Sequence, residues 1–193
     1  MTDTPGTQPE VWVVRHGETD WSRAGRHTSR TDLPLTSDGE TAARGLRSPL
    51  EHVEFATVLT SPLRRARDTA HLAGFGTATL EPTMIEWSYG EYEGLTTPEI
   101  REHVPGWTVW THDTPGGESA GDVGRRVDGM IERVIAGGDE RTLVFTHAHV
   151  GRVLAARWIG LAPNEGRRFR LDTATVSVLS WDREARAIGS WNR

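Results

Sequence analysis

The chain contains no cysteine, which excludes disulfides, thiolate metal sites and cysteine nucleophiles. It has no apolar run long enough to span a bilayer and no signal-like apolar core near its start, so the expected location is the cytoplasm. An excess of positive charge is also missing. Against 27 Asp and Glu there are 22 Lys and Arg, a formal net charge of −5. A general nucleic-acid or anionic-membrane surface is therefore not expected, and any anion must be held by a local cluster of Arg and His. Internal repeats and low-complexity tracts are absent too. Eight tryptophans are many for 193 residues and point to several aromatic-lined packing or pocket sites. The length predicts one domain. A polar tail over residues 1–9 precedes a single domain over 10–193. Within it, the aperiodic stretch 86–117, rich in Gly, Pro, Trp and Tyr, reads as an irregular substrate-side insertion.

The hydrophobic pattern predicts strands over residues 10–14, 53–60, 77–80, 142–145, 176–181 and 187–191. Helices are expected from residue 37, with Ser37 and Glu40 at capping-box spacing, and over 63–72, with Pro62 at the first helical position. A long amphipathic helix is expected over 119–136, with apolar Val123, Val127, Met130, Ile131, Val134 and Ile135. Another is expected over 150–159, closed by Gly160. The alternation predicts an α/β fold, a three-layer α/β/α sandwich with a mostly parallel central sheet.

Three of these strands end in chemistry. The first runs Val11-Trp12-Val13-Val14 into Arg15-His16-Gly17, the second into Ser61-Pro62-Leu63-Arg64-Arg65, and the later one into Thr146-His147-Ala148-His149. In a parallel sheet such ends lie side by side, where ligands bind. Converging arginines and histidines are costly unless an anion fills the space, and arginine forks match phosphate oxygens. The cluster reads as a phosphate pocket. Of Arg64 and Arg65, adjacent on one helix, one is expected to face solvent. Singly, each residue has an ordinary explanation, such as His149 capping its helix. Glu86 is a carboxyl that, beside a phosphate pocket, could protonate a leaving oxygen. Residue chemistry alone does not separate it from Glu91 and Glu93, both read as solvated loop acids. Trp87, Tyr89, Tyr92, Trp107 and Trp110 either line the pocket mouth or pack a small subdomain under a long loop.

Together, Arg15-His16-Gly17-Glu18-Thr19, Ser61-Pro62 with Arg65-Ala66, Glu86 with Tyr89-Gly90 and Glu93-Gly94, Gly117-Glu118-Ser119 and Thr146-His147 resemble the histidine phosphatase superfamily, the phosphoglycerate-mutase-like group. The likeness runs from about Val11 to the C-terminus and is greatest to actinobacterial acid phosphatases and fungal sedoheptulose-bisphosphatase-like enzymes. It implies a metal-independent, cofactor-free phosphomonoesterase with an acid-to-neutral optimum. His16 would be the nucleophile that becomes a phosphohistidine, Glu86 the proton donor, and Arg15, Arg65 and His147 the groups that hold the phosphoryl oxygens. Gly17, Ser22, Thr28, Ser29, Tyr89, Ala148 and His149 would lie along the substrate pocket. Many members carry Asn in place of Ser22 and Gly in place of Ser29 and Ala148, departures that bear on pocket shape rather than chemistry. The implied partner is a small phosphorylated substrate, with no nucleic acid and no membrane, and a homodimer is left open. A phosphoglycerate mutase is an alternative, as are a sugar-bisphosphatase of narrow specificity and a non-catalytic binding module. Mutases of this group carry a longer insertion with extra basic residues after the Glu-Gly motif, whereas the stretch from Gly94 to Glu118 is short and offers Arg101, His103 and His112, so the resemblance implies hydrolysis rather than transfer.

Overall fold

The computed structural model describes residues 8–193. Its elements in chain order are β1 (Glu10–Arg15), α1 (Asp20–Arg23), α2 (Ser37–Gly45), α3 (Arg47–Leu50), β2 (Thr57–Thr60), α4 (Arg64–Leu72), β3 (Thr79–Leu80), α5 (Thr97–Arg101), α6 (Ala120–Gly137), β4 (Arg141–Thr146), α7 (Ala148–Trp158), β5 (Val176–Asp182) and β6 (Ala185–Ser190). The strands form one six-stranded sheet in the order β3-β2-β4-β1-β5-β6. The first four run parallel, and the β5–β6 hairpin adds antiparallel to β1.

Period-two alternation divides the core between the two faces. Val11 and Val13 join Val123, Val127, Val153 and Leu154 on the face covered by α6 and α7. Val14 turns the other way, with Leu46, Leu50 and Ala70 on the face covered by α2, α3 and α4. On β4, Val144 belongs to the first face, and Leu143 and Phe145 to the second. Central strands buried on both faces explain the nearly continuous apolar runs of β1 and β4. Each fully buried side chain of this size stabilises the fold by about 1.5–3 kcal/mol. The result is the expected three-layer sandwich.

Local chemistry moves several boundaries. Ser37 is already helical, and Thr36 caps α2 by accepting from Gly39 N at 3.0 Å. That puts Gly39 at the third helical position and leaves Glu40 one residue too far along to reciprocate. Pro62 does not open α4. Leu63 occupies the N-cap, and the Arg64 N–H is satisfied from outside by Asp32 Oδ1 at 2.7 Å. The second strand begins at Thr57 rather than residue 53. The last runs Ala185–Ser190, so Trp191 lies beyond it. The helix expected over 150–159 begins two residues earlier, at Ala148. Gly160 terminates it with φ +77°, as Leu161 N donates to Ala156 O and Gly160 N to Arg157 O. Helix α5, capped reciprocally by Thr96 and Glu99, was not anticipated within the irregular stretch. Of the expected tail, residues 1–7 lie outside the described residues. Pro9 is buried, and its carbonyl accepts from Trp181 Nε1 at 2.8 Å. No helix among the described residues is long and apolar enough to cross a membrane.

Candidate active site

Strands β2, β4 and β1 are neighbours, and their C-terminal tips supply the site. His16 N donates to Thr146 O and Ser61 N to Phe145 O, both at 2.9 Å, carrying the pairing one residue past the strands. Ser61, His147 and His16 thus leave the sheet side by side. The chain then turns at Gly17, whose N–H donates to Thr69 Oγ1 at 2.9 Å. The start of α2 packs directly on this turn. A Cβ on Gly17 would lie 2.5 Å from Gly39 O, and one on Gly39 would lie 2.2 Å from Glu18 O. Both glycines are required by that close approach.

His16 is buried, and its Nδ1 lies 2.7 Å from Gly17 O. A carbonyl only accepts, so Nδ1 carries the proton and Nε2 keeps its lone pair. Burial, then the Arg65 and Arg15 charges, hold the ring's pKa well below the usual histidine range. His147 is fully buried, its ring centroid 5.1 Å from that of His16. It accepts at Nδ1 from Arg65 Nε (3.2 Å), so it is Nε2–H that donates to Ser61 Oγ (2.7 Å). Arg65 also donates to the carbonyls of Thr28, Ser29 and Thr31. Arg15 donates from Nη1 to Leu171 O at 2.6 Å, and its buried Nε has no partner. Neither arginine makes an ion pair among the described residues. Burial lowers both pKa values, but a guanidinium remains charged. Two buried cations without a carboxylate partner are costly unless an anion joins them.

Glu86 sits over the start of α7. Its Oε1 accepts from Trp87 N (2.8 Å) and Val150 N (2.9 Å), and its Oε2 accepts from His149 N (3.0 Å). Both acceptor positions of Oε1 are filled, while Oε2 keeps one open, the position available to a proton. Thr146 Oγ1 ties Met84 O to the tip of β4 at 2.9 Å. Arg126 grips Glu118 with Nε and Nη2 and donates from Nη1 to Ile85 O, while Glu118 Oε2 accepts from Ser88 N. Together these bonds fix the segment that carries Glu86.

A cavity of about 420 Å³ opens beside these groups, and Arg15, His16 and Glu86 line it. Ser22, Thr28, Tyr89, Ala148 and His149 line it as well. Arg65, His147, Gly17 and Ser29 do not; they lie behind the wall. Ser29 acts through its carbonyl, which holds Arg65, and its buried hydroxyl has no partner. The Ser22 hydroxyl is engaged with the backbone of Thr19. Ala148 has ordinary helical backbone at the start of α7. The Tyr89 hydroxyl, whose pKa burial pushes well up, is hydrogen-bonded to His149 Nδ1 at 2.6 Å.

Some wall residues escaped the sequence reading. His27 packs against Tyr89 and edge-on against Trp107, at centroid distances of 4.7 and 5.2 Å, and burial pushes its pKa down to about 4. Arg26, Arg152, Arg167, Arg168 and Arg170 line the mouth, the last three from an arginine-rich run that was a legible signal. Arg64 is exposed and pairs with Asp68, while Arg65 is buried, matching the expected division. Glu93 is not a solvated acid. Its Oε1 accepts from Ser29 N (3.2 Å) and Thr31 N (2.7 Å), fastening the loop whose carbonyls hold Arg65. Trp87 and Trp107 are fully buried, so among the aromatics Tyr89 alone reaches the cavity and the others pack beneath the loop.

Comparison with known proteins agrees with this geometry. The family model for the histidine phosphatase superfamily (branch 1) matches residues 11–193. An acid phosphatase of Mycobacterium tuberculosis is 40% identical over 179 residues, spanning 91% of this chain and 88% of the relative. A sedoheptulose 1,7-bisphosphatase of Saccharomyces cerevisiae is 32% identical, spanning 81% of this chain and 70% of its own. The solved structure of open reading frame Rv3214 from M. tuberculosis superposes with a TM-score of 0.88 at 38% identity, covering 95% of this chain and 96% of the other.

Proposed function

The chain belongs to the histidine phosphatase superfamily, and from that premise we propose that it hydrolyses small phosphomonoesters through a phosphate carried on Nε2 of His16. One observation carries the assignment. His16 holds its proton at Nδ1 against Gly17 O, which leaves a neutral Nε2 lone pair beside the unpaired Arg15.

In the first step Nε2 attacks phosphorus in line, the N–P bond forms and the ester P–O bond breaks. A proton on Glu86 Oε2 passes to the departing oxygen. In the second step Glu86, now a carboxylate, takes a proton from water as the water oxygen attacks phosphorus. The N–P bond breaks, inorganic phosphate leaves, and the proton has returned to Glu86. Arg15, which lines the cavity, supplies charge-assisted donors to the equatorial oxygens, and Arg65, held behind the wall with His147 between it and Ser61, adds its positive charge to the same site. Most of the rate gain is then positioning and electrostatics in a site already built. The same reading makes residues 10–193 one catalytic domain acting on cytoplasmic metabolites, which cell fractionation checks.

The test is hydrolysis of p-nitrophenyl phosphate from acid to neutral pH with EDTA present, for wild type and His16→Ala. Turnover should survive EDTA and be lost in the variant. Because burial and two arginines depress the His16 pKa, the ring stays neutral as pH falls through 6.5, and kcat/KM should hold well below that pH. Turnover by His16→Ala, a metal requirement, or an enzyme limb at pH 6.5 would overturn the mechanism.

A further inference from the structure

The two buried arginines of the site are not held alike. Arg65 is fixed by three carbonyls and by His147, whereas the Arg15 side chain has one hydrogen bond among the described residues, from Nη1 to Leu171 O. The direction of the Arg15 fork, with its unpartnered buried Nε, therefore depends on where that single carbonyl stands. Leu171 opens a loop, residues 171–175, that lies against the tip of β1. Ala174 N donates to Arg15 O at 3.0 Å, and Arg15 N to Thr175 O at 3.4 Å. The loop is strained, because Ala174 holds φ +52°, left-handed backbone that a residue with a Cβ rarely adopts. Such a conformation persists only where its surroundings impose it.

Asn192 imposes it. Its Oδ1 accepts from Asp172 N at 2.6 Å and lies 3.1 Å from Thr175 Oγ1, and its Nδ2 donates to Asp172 Oδ2 at 2.9 Å. One side chain thus spans both ends of the loop, while its own N–H is anchored on Ser177 Oγ at 2.9 Å. Asn192 itself stands at φ +57°, which asparagine tolerates better than most residues with a Cβ. Beside it, Trp191 Nε1 donates to Arg170 O, and Val176 and Arg193 exchange backbone hydrogen bonds. The Asp172 carboxylate is held as well. Asn192, then Arg170, keep its pKa below the usual carboxylate range. Its charge acts on Arg15 without pairing with it. A fastening role alone could fall on any surface loop, but these contacts fall on the one whose carbonyl orients Arg15.

We infer that Asn192, which lies outside the cavity wall, is a positioning residue for phosphoryl transfer: by holding residues 171–175 it sets the Leu171 carbonyl that aims Arg15 at the phosphoryl oxygens. It also keeps the Asp172 carboxylate from competing with phosphate for that fork. The inference rests on the role of Arg15 in the proposed phosphatase reading. Asn192→Gly deletes the side chain without straining φ. Both kcat/KM for p-nitrophenyl phosphate and affinity for inorganic phosphate should fall by roughly 10- to 100-fold, the scale of a misplaced charged group. The same substitution made in Arg15→Ala should change neither much further, since no fork is left to aim. A merely structural asparagine would lower Tm in both backgrounds and leave phosphate affinity unchanged, or lower it equally in both. Should Asn192→Gly fail to fold, Asn192→Asp keeps the accepting contacts and sets a second carboxylate against Asp172. Its phosphate affinity relative to wild type should be reduced near neutral pH and recover as pH falls and the two carboxylates share a proton. Equal losses in the two backgrounds, phosphate affinity that neither Asn192 variant moves, or affinity that Arg15→Ala does not weaken overturns the inference. Phosphate binding is read without turnover. Binding that depends on Arg15 and Asn192 with no hydrolysis would refute the phosphatase reading and leave this one standing.

Discussion

Replacing Glu86 by Gln removes the transferable proton and leaves the shape of the site nearly intact. The amide oxygen should take the place of Oε1, which accepts from both Trp87 N and Val150 N. The amide nitrogen then faces the His149 N–H, so one hydrogen bond is lost and two donors confront each other. That costs about 1–3 kcal/mol of stability, a drop in Tm of roughly 2–12 °C for a chain of this size. Positioned general-acid catalysis is worth about 10²–10⁴-fold, or roughly 2.7–5.4 kcal/mol of barrier. An alkyl phosphate, whose alkoxide leaves poorly, should lose that full factor in kcat/KM. The loss for p-nitrophenyl phosphate should be far smaller, because p-nitrophenolate leaves without a proton. The second step loses its base with either substrate, so kcat should fall for both. Rapid mixing with p-nitrophenyl phosphate should then show a burst of p-nitrophenol followed by slow turnover. The comparison belongs on kcat/KM, which reports only through the first irreversible step. Equal losses in kcat/KM for both leaving groups would remove Glu86 from the acid role.

Two further perturbations follow from the packing. Buried His27 has a folded pKa of about 4 against 6.5 unfolded, so below pH 6.5 the unfolded chain binds the extra proton and stability falls as pH drops toward 4. His27 alone contributes a loss approaching about 3 kcal/mol across that window. His16, His147 and His149 are shifted in the same direction. The Tm profile should therefore descend below pH 6.5, less steeply in His27→Gln, and an identical slope in that variant would contradict the assignment. Gly39→Ala sets a Cβ against Glu18 O, 2.2 Å away in the unrelaxed backbone, and the turn carrying His16 must move. It should cost roughly 1–3 kcal/mol and raise KM for p-nitrophenyl phosphate. Wild-type Tm and kinetics in that variant would show that the close approach is not needed.

What could be read from the sequence was what local pattern controls. The apolar runs of β1 and β4 and the Arg and His residues at their tips needed no tertiary information, because parallel strands bring their ends together. The reach of Glu86 to the start of α7 was invisible, since it depends on bonds across 63 and 64 residues to His149 and Val150. Glu93 was misread for the same reason: its partners Ser29 and Thr31 lie more than 60 residues away, and nothing in its neighbourhood announces them. Caps were misplaced where a distant group did the capping, as Asp32 does for α4. His27 and Arg152 carry no local signature. Their placement comes from contact with Trp107, edge-on to His27, and Trp110, beneath Arg152, in the stretch where periodicity gave out.

The central claim is covalent. Wild type should be mixed with p-nitrophenyl phosphate, quenched in base on the millisecond scale to preserve a phosphoramidate, digested and mapped by mass spectrometry. The mechanism predicts a phosphorylated peptide containing His16, with the modification on the imidazole and its appearance matching the release of p-nitrophenol. Accumulation of the same species should be greater in Glu86→Gln, where hydrolysis has lost its base. Phosphate on a different residue, or hydrolysis by His16→Ala at the wild-type rate, would contradict the account.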